Sequence, residues 1–149
     1  MRIFLALIIA LTVPSSIQAG ERDRFIEKVK LPSGQTVVVA EGELEARSIG
    51  SFSVRVYDAA LPPDETTFFV AGLVRGRDGT LEQVMLADVD GDAQPEVIVK
   101  VRSVGTGSYV SAHAFGVDKE TLTFLADVEG LPPDTDPVGA LRESINKKK

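Results

Sequence analysis

The feature that most limits what this chain can fold into is a two-residue rhythm of apolar side chains, broken at short intervals by turn residues. Phe52, Val54 and Val56 alternate with Ser53, Arg55 and Tyr57. Val97, Val99 and Val101 alternate with Glu96, Ile98, Lys100 and Arg102, and Leu122, Phe124 and Ala126 with Thr121, Thr123 and Leu125. Successive side chains of a strand point to opposite faces, so this rhythm describes strands with one buried face. Residues 35–40 and 66–74 are apolar on both sides and read as central strands or strands covered on both faces. Residues 81–86 are a less regular strand candidate.

The breaks between these runs have their own chemistry. Pro32-Ser33-Gly34 separates the first two strand candidates. Leu61-Pro62-Pro63-Asp64 and Leu131-Pro132-Pro133-Asp134 cannot continue a ladder, because proline has no N–H to donate. The two copies stand in unlike surroundings and do not mark a repeat. Arg77-Asp78-Gly79-Thr80 carries Asp-Gly, which predicts a tight hairpin. Only residues 138–145 suit a helix, and Lys147, Lys148 and Lys149 read as a solvated, frayed tail. About eight short strands with this punctuation predict an all-β fold, an antiparallel β-sandwich or alternatively a closed β-barrel.

Residues 1–19 have the form of a secretory leader. A positive start at Arg2 precedes an apolar run over residues 3–13, and Pro14-Ser15-Ser16 leads to the small Ala19. That run is shorter than the roughly 20 residues a membrane span needs. Cleavage after Ala19 would leave residues 20–149 as one β domain. The net charge is −6, and losing Arg2 makes the mature chain more acidic still. An acidic exported domain excludes nucleic acid and anionic lipid as natural partners and favours a basic protein or a cation. There is no cysteine, so the domain must stand on its core alone.

Catalytic equipment is scarce. His113 is the only histidine and lies in a strand-like run, on the same side as Tyr109, Ser111 and Phe115. No Gly-x-Ser-x-Gly nucleophile pattern occurs, and one histidine without cysteine rules out an ordinary zinc site. Two other segments attract attention. Asp88, Asp90, Asp92 and Glu96 place hard oxygens at alternating positions, similar to the calcium loops of FG-GAP-like repeats. Ala93 stands where such loops carry glycine, and only one copy is present. The reading favoured here is an acidic turn whose Asp side chains cap the backbone, without a required metal; a calcium site is the alternative.

The second segment is Ser103-Val104-Gly105-Thr106-Gly107-Ser108-Tyr109. It offers two glycines, three hydroxyls and a phenol, but no acid, base or thiol. The glycines are expected to turn the backbone through positive φ, and Tyr109 is a rigid amphipathic anchor. This is the composition of a binding loop held by a β scaffold. A plain hairpin with Tyr109 packed on the sheet is the alternative.

Other blocks accompany this loop: Phe69-Val70-Ala71-Gly72-Leu73-Val74-Arg75-Gly76, Val84-Met85-Leu86-Ala87-Asp88-Val89-Asp90-Gly91-Asp92, Pro95-Glu96-Val97-Ile98-Val99 and Ser108-Tyr109-Val110-Ser111-Ala112-His113-Ala114-Phe115. With Thr106-Gly107-Ser108-Tyr109 in place of a Ser-Gly-x-Tyr loop, the chain resembles the periplasmic lysozyme inhibitors of the branch acting on invertebrate-type (i-type) lysozymes. The resemblance covers most of the mature chain. It implies a periplasmic β-sandwich whose loop of Ser103, Gly105, Thr106, Gly107, Ser108 and Tyr109 enters the lysozyme cleft and blocks substrate. It implies a binding protein and not an enzyme, with i-type lysozyme as partner, no cofactor and no membrane attachment once the leader is removed. Thr106 departs from the family's serine, keeping the hydroxyl while adding a methyl and a stiffer χ1. The alternative function is a calcium-binding extracytoplasmic β module for adhesion or carbohydrate binding.

Overall fold

The computed structural model describes residues 23–148, so the leader expected at residues 1–19 lies outside the described residues. Eight strands follow in order: β1 Ile26–Lys30, β2 Thr36–Glu41, β3 Ile49–Tyr57, β4 Phe69–Asp78, β5 Thr80–Ala87, β6 Glu96–Arg102, β7 Val110–Val117 and β8 Leu122–Leu131. A helix, α1 Pro137–Lys148, ends the chain. The strands form two four-stranded antiparallel sheets, β1-β2-β3-β4 and β5-β6-β7-β8, each a simple meander. The architecture is the sandwich, not the closed barrel.

The alternation read from the sequence builds the space between the sheets. Val37, Val39, Phe52, Val54 and Val56 of the first sheet meet Leu81, Val84, Val97, Val99, Val101 and Phe115 of the second. The rings of Phe52 and Phe115 meet edge to face at 6.1 Å, a favoured aromatic geometry. Burying a side chain of this size contributes about 1.5–3 kcal/mol. Sheet-to-sheet ties reinforce the packing at the edge strand β5. Glu41 Oε1 accepts from the Leu81 amide at 2.8 Å, and Glu27 Oε2 from the Val84 amide at 3.3 Å. These carboxylates occupy edge amides that would otherwise invite a foreign strand.

Four expectations are corrected. The Asp78-Gly79 step is not a hairpin: β4 and β5 belong to different sheets, and Gly79 is the single residue between them. Its φ is +124°, and a Cβ there would lie 2.2 Å from the Arg102 carbonyl oxygen, so only glycine turns this corner. Residues 66–74 are not a central strand. β4 is an edge with one neighbour, β3, and leaves Phe69 and Val74 61% and 69% exposed. Ile98, read on the polar side of its strand, is fully buried: it packs with Ala112, Ala114, Ala126 and Leu141 in a second core beneath α1. Finally, Lys147 and Lys148 belong to the last turn of α1, where they suit the negative end of the helix dipole. That helix starts where Asp136 accepts from the Val138 and Gly139 amides, both at 3.1 Å, with Pro137 in the first position.

Candidate functional site

The loop between β6 and β7, residues 103–109, projects from the end of the sandwich that also holds the Gly79 corner. Its neck is closed by the Ser103 amide donating to the Tyr109 carbonyl at 2.9 Å. Above the neck, the Ser108 amide donates to the Gly105 carbonyl at 3.2 Å, a β-turn with Thr106 and Gly107 at its corners. The Ser103 hydroxyl accepts from the Gly105 amide at 3.2 Å. The positive φ expected of the glycines falls instead on Ser108, at 48°. Gly107 is required for a different reason: a Cβ there would stand 2.2 Å from the Tyr109 ring. Tyr109 thus lies against its own loop while remaining 52% exposed. It is not a core residue. Among the described residues, the Thr106 and Ser108 hydroxyls have no hydrogen-bond partner, and both residues are exposed.

Two residues that sequence reasoning did not single out hold this loop. Arg102 donates from Nη1 to the Ser108 carbonyl at 3.0 Å. The same guanidinium makes two parallel 2.8 Å bonds to Glu82, a bidentate pair that fixes its plane. Glu82 is the extra residue of a bulge in β5, where the register shifts between Leu81 and Gln83. Bulges re-aim side chains, and this one presents its carboxylate to both Arg102 and Lys100. The Arg102 hydrogen bond, followed by the charges of Lys100 and Arg102, holds the Glu82 carboxyl below its ordinary value. Only the β5–β6 register brings Glu82 and Arg102 together, so local sequence carries no signal for the clamp.

At the other end of β6, residues 88–95 form the acidic turn. The carboxylates of Asp88, Asp90 and Glu96 converge to within 4.8 Å of one another. Asp92, the fourth calcium candidate, accepts instead from the Gln94 amide at 2.7 Å. Asp88 accepts from the Gly91 amide at 2.7 Å and the Ala93 amide at 3.1 Å. These backbone donors, Gly91 first, hold the Asp88 carboxyl below its ordinary value. Glu96 is buried and accepts from the Val89 amide at 2.7 Å. Burial, then the neighbouring Asp90, Asp92 and Asp88, push its carboxyl up. Ala93 takes φ 68°, the conformation for which a glycine was missed. The side chains of this turn are thus engaged in building it.

His113 faces the space between the sheets and is 5% exposed. Its ring lies 5.4 Å from that of Phe52. Burial holds its pKa below the ordinary histidine value. No serine hydroxyl is hydrogen-bonded to it, so a Ser–His pair is not formed among the described residues.

A family model described as periplasmic lysozyme inhibitor of I-type lysozyme matches residues 23–145. The chain belongs to that inhibitor family. Two solved structures are similar to it. One is the periplasmic lysozyme inhibitor of I-type lysozyme from Aeromonas hydrophila, at 46% identity and TM-score 0.74, covering 78% of this chain and 98% of that one. The other is the Aeromonas hydrophila inhibitor in complex with Meretrix lusoria lysozyme, at 45% identity and TM-score 0.74, covering 79% and 95%. No curated protein matches the chain. The family is one of inhibitors and not of enzymes.

Proposed function

We propose that this protein is a periplasmic inhibitor of i-type lysozyme, exported with residues 1–19 removed, that blocks the muramidase cleft with residues 103–109. The observation that carries the reading is the division of labour in the loop. Backbone bonds, Gly107 and the Arg102–Glu82 clamp fix its shape, while Thr106, Ser108 and Tyr109 keep their polar groups available. A loop ordered before binding loses less conformational entropy on association. The target cleft holds two carboxyl groups, one of them a protonated acid. Hydroxyls donate to or accept from either form, and bonds to the charged carboxylate are the stronger ones. The acidic net charge of −6 would steer the inhibitor toward a basic lysozyme.

The test is lysozyme turnover with and without the purified mature chain. Inhibition by the wild type is expected. Thr106→Ala should weaken it by about 1–2 kcal/mol, the scale of one hydroxyl contact, and Thr106→Ser should inhibit as well as the wild type or better. Turnover unaffected by a folded wild-type protein would reject the reading.

A further inference from the structure

A cavity of about 260 Å³ opens between the sheets directly below the loop, lined by Asp78, Ser103, Tyr109, Ser111, His113 and Glu129 among others. It is smaller than the roughly 300–1,000 Å³ of small-molecule sites and suits a single side chain. Its rim is acidic. Asp78, at the end of β4, and Glu129, on β8, are both exposed, and neither has an ion-pair partner among the described residues. This contrasts with nearby Asp127, which is paired with Arg75 at 3.8 Å. From the core side the cavity is lined by His113, whose Nδ1 is buried and without a hydrogen-bond partner. A buried polar atom left unpaired costs stability, and such atoms call for an explanation. The Ser103 and Ser111 hydroxyls and the Tyr109 phenol complete a wall of oxygen acceptors.

We infer that this cavity receives a basic side chain of the lysozyme, a lysine or arginine seated between Asp78 and Glu129, while residues 106–109 occupy the cleft. The inference rests on the proposed inhibitory function and adds a second point of engagement, in which the partner inserts into the inhibitor. A donor-rich cation supplies what the cavity lacks: charge for two carboxylates and a donor for the acceptors around it. Tyr109 and Ser103 belong to both the loop and the cavity wall, so the two contacts would form one continuous surface.

The experiment measures inhibition constants against an i-type lysozyme over a range of salt concentrations. Three proteins are compared: the wild type, the double variant Asp78→Asn/Glu129→Gln, and a control pair, Asp118→Asn/Glu120→Gln. Asp118 and Glu120 are equally exposed but lie at the opposite end of β7. The cavity variant should inhibit on the order of tenfold less well and show a flatter salt dependence, while the control stays near wild type. Equal inhibition by wild type and cavity variant, or an equal loss in the control, would overturn the cavity assignment. A wild type that does not inhibit at all would instead overturn the function on which it rests.

Discussion

The two loops at the ends of β6 are built from similarly polar material and use it in opposite ways. In the turn at residues 88–95, carboxylates reach back to the chain: Asp88, Asp90, Asp92 and Glu96 accept from the amides of Gly91, Asp92, Gln94 and Val89, among others. The loop at residues 103–109 is closed mainly by its backbone and clamped from outside by Arg102, which leaves the Thr106 and Ser108 side chains without internal bonds. Polarity alone therefore does not distinguish the two loops. What distinguishes them is what is left over once each loop has satisfied itself.

The comparison can be broken by single substitutions that separate folding from function. Tyr109→Ala should have the largest effect, a loss of inhibition of about 2 kcal/mol or more, roughly thirtyfold, since central aromatic anchors carry costs of that size. Its melting temperature should stay close to wild type. An early-melting Tyr109→Ala protein would show that the phenol supports the fold and would erase the contrast between the loops. Asp88→Ala should do the reverse: it strips acceptors from Gly91 and Ala93 and lowers Tm by about 3–5 °C, the scale of a lost cap. Inhibition by the folded protein should be unchanged. Weaker inhibition at full folding would place the acidic turn in the interface.

The smallest effect sharpens the comparison through pH. In the unfolded chain Glu96 titrates near its ordinary value of 4.5, and in the fold it is held higher by burial and by Asp90, Asp92 and Asp88. The carboxylate therefore costs the folded state stability at neutral pH. That cost fades as pH falls through the folded value and is gone below 4.5, where both states hold the proton. Glu96→Gln keeps an acceptor for the Val89 amide and removes the charge, so Tm should rise by ~2 °C at pH 7. The gain should vanish below pH 4.5. A fall in Tm at pH 7, together with a loss of Tm for the wild type in chelator, would show that a bound cation and not the backbone balances this turn.

How far the sequence reveals all this depends on the range of the interaction. The alternations at Phe52, Val54 and Val56 and at Val97, Val99 and Val101 are local, and they predict the inner faces of the sandwich correctly. The loop at 103–109 is visible from its composition and from the family resemblance. The clamp is not, because Glu82 and Arg102 meet only through a bulge and a strand register. Local alternation puts Ile98 on the polar side because α1, which covers it, arrives from almost forty residues downstream. The Asp78-Gly79 step shows the same limit from the other side. Its sequence demands a sharp turn, and the structure has one, but whether the chain returns along its own sheet or crosses to another is decided by distant partners.

That crossing divides the chain's history as well as its architecture. Every strand ladder closes within residues 26–78 or within residues 80–131, so no strand pairs with one from the other half of the chain. Ladders between consecutive strands close smaller loops than pairing across the two halves would, and so cost less closure entropy. Face-to-face docking of the two meanders, hinged at Gly79, is left as the event that joins the halves of the chain. Folding would then be limited by assembly of the interior rather than by finding strand partners. A conservative truncation at the meeting point, Phe52→Leu, should therefore slow folding in stopped-flow experiments; an unchanged folding limb with faster unfolding would show that the interior packs only after the rate-limiting step.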